Sequence, residues 1–312
     1  VGGTGSSGAQ FLQIGGGTKA LGMGSAFVAY AEGLDAIYWN PAGLSFNKDQ
    51  NFSVTHLNYF AEMSYDNVAY SRPLGEGTIG ISAIGLFSGD IEITTTGQQE
   101  GTGETYRADE FAIGISYGSS LTEKFSVGAT FKFIHMGLAD LSARGWAMDI
   151  GAIYKTGLLN NLRLGFVISN FGPDMRYEGD DLVFNTKVHE NQDAQQQDAR
   201  GQYLTELFQL PLKLQVGIAF DVMNTENQKL VATIDGINPN DYKETFGTGL
   251  EYAYNNSYFL RFGYANIFDR GITAGASAQF AQFTDMIVVL NYGLEIHNYL
   301  GDLHRIGIDI KY

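Results

Sequence analysis

The chain has 312 residues with 34 acidic and 19 basic side chains, and its net charge of −15 excludes a nucleic-acid-binding face, which needs cations to neutralise phosphates. With no cysteine it carries no disulfide scaffold, no thiolate metal site and no lipid anchor on Cys. Forty glycines, 21 phenylalanines and 18 tyrosines against 5 prolines fit closed antiparallel sheet, because aromatics favour strands and proline removes ladder donors.

Val1 opens a Gly/Ser-rich stretch with no basic and apolar leader, so a secretory signal is expected to have been removed already. Residues 1–14 read as a mobile end, with Phe11, Leu12 and Ile14 as a candidate anchor. Gly3 to Gly8 matches GxGxxG, but no strand precedes it and no βαβ unit comes after it, so the geometry that cradles a pyrophosphate is missing. The next stretch, Gly15 to Leu44, is unlike the rest of the chain. Six glycines (Gly15, Gly16, Gly17, Gly22, Gly24, Gly33) permit positive φ and close packing, and Asn40-Pro41 punctuates the segment before strands begin. It reads as a compact insert, a plug for the strand-rich remainder of the chain.

From Phe52 onward the dominant period is two. Phe111, Ile113, Ile115 and Tyr117 alternate with Ala112, Gly114, Ser116 and Gly118. Leu212, Leu214, Val216, Ile218 and Phe220 alternate with Lys213, Gln215, Gly217, Ala219 and Asp221. Tyr258, Leu260, Phe262 and Tyr264 alternate with Phe259, Arg261, Gly263 and Ala265. Strand candidates fall at 51–60, 65–72, 77–96, 106–118, 124–136, 145–155, 162–170, 211–222, 228–235, 245–254, 257–266, 272–280, 284–295 and 302–312, about fourteen. The third is too long and is interrupted by Ser88-Gly89-Asp90, so it is one kinked strand or two. Alternation alone fits a soluble sandwich as well as a membrane barrel. Segments near ten residues, aromatics towards segment ends and small residues on the non-apolar face tilt it to a transmembrane antiparallel β-barrel with the plug in its lumen. The apolar runs, such as Met286 to Leu290, fall far short of the roughly 18 residues of a membrane helix. With both wall ends periplasmic, the even-numbered turns are expected to be short. The longest connection, about 171–210, is acidic and amide-rich and is expected to face outward. The last strand puts Ile306, Ile308, Ile310 and the terminal Tyr312 on one face, a pattern resembling the insertion signal of outer-membrane barrels.

The order Lys19-Ala20-Leu21-Gly22-Met23-Gly24-Ser25-Ala26-Phe27-Val28-Ala29, then Ala31-Glu32, then Tyr38-Trp39-Asn40-Pro41-Ala42-Gly43-Leu44 resembles the N-terminal signature of the PorV/PorQ family of outer-membrane proteins, itself related to the FadL-type barrels. The resemblance covers about thirty residues and departs at Glu32 to Ala36, where the family carries Asp-Asp-Ala-Ser-Ala. It implies an all-β FadL-like barrel of about 14 strands in a bacterial outer membrane, residues 1–48 forming the N-terminal segment and hatch and 49–312 the wall. It implies a hatch motif at Gly22, Gly24, Trp39, Asn40, Pro41, Ala42, Gly43 and Leu44, and a kinked third strand beside it. It also implies a non-enzymatic part in type IX secretion, beside a large SprA-like translocon and in contact with the C-terminal signal domains of exported proteins. The alternative it implies is FadL-like uptake of a hydrophobic small molecule through a gap at the kinked strand. Gly43-Leu44 is the form of the wider family, where the shuttle branch has Lys-Tyr.

No catalytic, metal or cofactor constellation stands out. Ser116 lies in GxSxG but within period-two sequence rather than at a nucleophile elbow. His56, His135, His189, His297 and His304 lack ligand spacing and are expected in solvated or interface positions. Asp174, Glu178, Asp180 and Asp181 fit no calcium loop. Lys132, Asp149, Arg163, Lys213, Asp221, Glu251, Arg261, Asp309 and Lys311 share the polar parity, as charges that form cross-strand ladders or hold the hatch would. Arg is therefore expected to be worse at Ile115 or Ile218 than at Ser116 or Gly217.

Overall fold

The computed structural model describes residues 5–157, 160–188, 197–266, 270–281, 286–297 and 301–312. The wall strands are β1 (Asn51–Asn58), β2 (Ser64–Leu74), β3 (Gly77–Phe87), β4 (Ala108–Ser120), β5 (Phe125–Leu138), β6 (Leu141–Lys155) and β7 (Arg163–Phe171). They continue with β8 (Lys213–Asn224), β9 (Gln228–Pro239), β10 (Thr245–Tyr254), β11 (Tyr258–Ala265), β12 (Arg270–Ala281), β13 (Ile287–His297) and β14 (Leu303–Lys311). Each pairs antiparallel with its sequence neighbour, and β1 closes on β14 from Asn51↔Lys311 to Asn58↔His304, giving a closed 14-stranded barrel whose first and last strands pair with each other instead of forming edges. No described helix is long and apolar enough to cross a membrane. The end where β1 begins and β14 finishes is called the near end below, and the opposite one the far end.

The barrel is inside out relative to a soluble protein. Ile115 is 57% exposed, Phe262 59% and Ile306 61%, whereas Arg261 and Arg305 are among the largest fully buried side chains. A soluble sandwich would bury the isoleucines and solvate the arginines; only lipid outside and a packed polar lumen reconcile this arrangement with the cost of burying charge. The alternation read from the sequence therefore sets the face of each residue, and the outward set meets hydrocarbon.

The structure decides between the two readings of the third segment and corrects the reading of the first fourteen residues. The third segment is two strands: β3 stops at Phe87, and Ile91–Glu92 pairs with Thr105–Tyr106 in a separate hairpin. Within the wall β3 is paired without a register shift to β2, Ser64↔Phe87 to Leu74↔Gly77, and to β4, Gly77↔Ser119 to Phe87↔Asp109. Both edges stay paired without interruption, so the expected kink, which would break that pairing, and the gap beside it are not formed. Residues 5–14 are not a loose end: Ala9, Phe11 and Ile14 pack with Leu57, Tyr65, Ile134 and Leu303 inside the far end of the barrel. The 171–210 connection also carries structure, with Glu178–Gly179 pairing to the far end of β6 and Val183–Val188 pairing to Gln197–Gln202. Its stretch 189–196, including His189, lies outside the described residues.

Candidate functional site: the lumen plug

Residues 5–47 run through the lumen from the far end to the near end. At the far end Gly8 N–H donates to Gln209 O at 2.9 Å, and Ser7 and Gln10 hydrogen-bond Asp241. Short helices follow, α1 (Lys19–Gly22) and α2 (Ala36–Trp39), then a 3₁₀ turn Pro41–Phe46 at the near end. The Gly-rich sequence cannot sustain long helices, but it can lie backbone against backbone on the wall.

Asn40-Pro41 occupies the first such seat. Gly118, Gly128 and Gly151 are register partners on β4, β5 and β6, forming a row without side chains on the lumen face. A Cβ on Gly128 would meet the Pro41 carbonyl carbon at 2.3 Å, and one on Gly151 would meet Asn40 Oδ1 at 2.0 Å. Asn40 is fully buried and extended (φ −158°). It caps the 3₁₀ turn by accepting from Ala42 N–H at 3.2 Å. Its Nδ2 donates to Val28 O within the plug (2.9 Å) and to Ala152 O (3.2 Å) and Phe166 O (3.4 Å) on the wall. One side chain thus ties the plug to itself and to β6 and β7, while Pro41 supplies the preset φ of the first helical position.

The second seat lies across the lumen. Gly24 (φ +63°) has no room for a Cβ, which would meet Thr248 O and Tyr264 O at 2.6 Å, and its N–H donates to Thr273 Oγ1 at 3.0 Å. Gly22 stands against Gly275, where a Cβ would come within 3.1 Å of the Gly275 Cα. Trp39 is buried, with its indole N–H donating to Gly16 O at 2.9 Å. Ala42 and Leu44 are fully buried, and Gly43 approaches Ala31 O. All eight residues of the expected hatch motif therefore lie in the lumen. The other expected set lies outside: Ile306, Ile308 and Tyr312 are exposed on the lipid face with Ile310 half-buried beside them, and Tyr312 N–H donates to Gln50 O at 2.9 Å.

Charges on the lumen face complete the attachment. Glu251 and Arg261, direct partners across β10 and β11, pair at 2.6 Å, and the plug's Tyr30 hydroxyl donates to Glu251 at 2.8 Å. Lys132 pairs with Asp149 at 2.8 Å, and Arg163 with Asp221 at 3.3 Å. Two anchors were not singled out in the sequence, although the parity of their strands carries the signal. Arg305, between Leu303 and Gly307 on the inward set of β14, donates to Gly15 O (2.7 Å) and Gly17 O (2.9 Å). Asp235 on β9 accepts from Val28 N–H at 3.0 Å and from Gln215 at 2.9 Å. Within the plug, Asp35 accepts from Lys19 N–H at 2.9 Å; burial raises the Asp35 pKa to about 6 against the opposing charge of Lys19. Burial also works against the Lys19 charge, but Asp309, Asp35 and Glu32 outweigh it and raise the Lys19 pKa.

Ser116 lies on the buried lumen face, hydrogen-bonded to the Thr130 hydroxyl at 2.8 Å rather than to a histidine that could activate it. Of the two expected environments, solvated or interface, His297 is not in the solvated one: its side chain is buried, and its ring stands edge-on to Phe60 with the centroids 5.2 Å apart. Among the described residues no three His, Asp or Glu side chains converge as metal ligands. Between plug and wall, a cavity of about 30 Å³ lies among Leu12, Tyr38, Tyr65, Ala112 and Lys132.

Comparison with solved structures places this architecture. The toluene transporter TodX of Pseudomonas putida is similar at 16% identity with a TM-score of 0.61, over 95% of this chain and 97% of that one. The toluene transporter TbuX of Ralstonia pickettii is similar at 15% identity with a TM-score of 0.59, over 96% and 97%. A FadL homologue of Pseudomonas aeruginosa is similar at 10% identity with a TM-score of 0.55, over 95% and 98%. At these identities the likeness concerns the fold, that of a FadL-like outer-membrane barrel. No curated protein matches the sequence. The family profile described as "Type IX secretion system protein PorV" matches residues 4–190, which hold the whole plug and the first seven wall strands, and the chain accordingly belongs to the PorV family.

Proposed function

We propose that this outer-membrane barrel is a protein-docking component of type IX secretion, binding a large SprA-like translocon, the C-terminal signal domain of exported proteins, or both, and that it performs no catalysis. The observation that carries the reading is the filled interior. The cavity between plug and wall, about 30 Å³, holds about one water, whereas a benzene-sized ligand occupies about 150 Å³; the larger pockets described, about 490 and 540 Å³, lie at the far and near mouths. The unbroken pairing of β3 removes the gap through which a hydrophobic solute would leave sideways. A barrel closed in both respects offers partners its rim and outer surface. Affinity purification from the native outer membrane tests this. Recovery of a translocon-sized partner or of exported proteins with C-terminal signal domains is the expected result. Recovery of a bound hydrophobic small molecule with no protein partner would replace secretion by uptake.

A further inference from the structure

The near-end mouth of the lumen has a charge pattern opposite to that of the whole chain. Lys155, the last residue of β6, and Arg163, the first of β7, are direct cross-strand partners on the lumen face. Like charges placed directly opposite one another destabilise a sheet. Lys229, on the inward parity of β9, and Lys124, on the β4–β5 turn, add two more cations around the same opening, a pocket of about 540 Å³. Glu32 and Glu123 share its rim, but Lys124, Lys155 and Lys229 make no ion pair with a carboxylate within 4.0 Å among the described residues. Arg163 alone of the four is paired, to Asp221 at 3.3 Å.

The amines lie over aromatic rings of the plug instead. Lys155 Nζ sits 3.6 Å from the centroid of Phe46, and Arg163 and Lys229 approach Tyr30 at 4.9 and 5.6 Å. Ring faces hold a cation in place without neutralising it. Four cations therefore ring one opening in a protein of net charge −15, with a single carboxylate ion-pair partner between them among the described residues.

We propose that this mouth binds an acidic peptide segment of a protein partner, with carboxylates bridging Lys155, Arg163 and Lys229 while the segment rests against Phe46, and the buried Tyr30 ring holds Arg163 and Lys229 in place from below. Separate lysine point charges spread over β6, β9 and a turn suit several carboxylates along a chain better than one compact phosphate, which is better matched by a convergent set of donors. The site does not depend on the secretion role, because the contact is defined by charge and shape at the near end.

The test uses the full chain in detergent micelles and a fluorescent hexaglutamate peptide, with unlabelled hexaglutamine and inorganic pyrophosphate as competitors, at several salt concentrations. The expected result is hexaglutamate binding that weakens with salt, resists both competitors, and weakens about tenfold in the K155Q/K229Q double variant while heat-modifiability is unchanged. If the double variant fails to assemble, K124Q and K229Q singly are each expected to weaken binding several-fold. Equal affinity of wild type and assembled variants, no binding at low salt, or efficient displacement by pyrophosphate would overturn the proposal. None of these outcomes bears on which proteins co-purify from the membrane.

Discussion

Replacing Gly128 with Ala sets wall and plug against each other. In the wall, Ala is at least as good as Gly, because glycine in a strand interior loses more chain entropy on folding, roughly 0.5–1 kcal/mol. For the plug the new methyl would meet the Pro41 carbonyl carbon at 2.3 Å, its oxygen at 2.4 Å and Ala42 N at 2.5 Å, all backbone atoms that no rotamer change can move. Overpacking of this kind costs about 1–3 kcal/mol. Displacing Pro41 also draws Asn40 from its wall acceptors Ala152 O and Phe166 O, at about 1 kcal/mol per bond. Together these come to about 3–5 kcal/mol against the seated plug, which raises the unseated population roughly 140- to 4000-fold at 1.4 kcal/mol per decade. Hydrogen exchange of the plug amides reads that population directly, and heat-modifiability on gels reports the wall separately. Gly236→Ala is the matched control, since no heavy atom lies within 4 Å of a Cβ added there. The expected result is faster exchange over residues 36–46 in Gly128→Ala alone, with both barrels intact. Exchange in Gly128→Ala indistinguishable from that in Gly236→Ala would show that the plug does not rest on the glycine row.

The same geometry sets three further outcomes. Ile115→Arg, placing a cation on the lipid face, is expected to cost about 2–4 kcal/mol and to lower assembly into vesicles, measured as the heat-modifiable fraction; wild-type assembly would mean that Ile115 does not face the bilayer interior. Deleting Tyr312 is expected to lower the amount of barrel in the outer membrane while leaving the unfolding of preassembled barrel little changed, as immunoblots of membrane fractions and urea titration would report; unchanged membrane levels would remove any insertion role for this end. Asp35 titrates near 6 in the seated plug against 3.8 when free, so its contribution to seating is full below pH 4 and lost as pH rises through 6. Plug amides are expected to exchange faster at pH 7 than at pH 4 after correction for intrinsic rates, and Asp35→Asn is expected to flatten that trend; slower corrected exchange at pH 7 would reverse the sign.

Much of this protein was legible in its sequence because a membrane wall imposes a period of two that survives without tertiary knowledge. Ile113, Ile115 and Tyr117 face lipid, as do Leu260, Phe262 and Tyr264, and the inward charges Lys132, Glu251 and Arg261 were placed by the same parity. The plug announced itself through Asn40-Pro41 and its glycines, whose backbone freedom is a local property. What the tertiary structure decided is whatever depends on two distant segments meeting. Arg is expected to be tolerated at Ser116 or Gly217 only where the lumen side has room, and that room is a tertiary matter: Ser116 is buried, and a Cβ added to Gly217 would meet the Asp235 carboxylate of the neighbouring wall strand. That Phe11 fills the far end, that Arg305 binds Gly15 and Gly17, and that β3 ends at Phe87 without a kink depend on partners far away in the chain, and alternation along one strand carries no information about them. A strand's own residues set which way each side chain points, while what it meets on the lumen side is set by the segment that folds into the barrel.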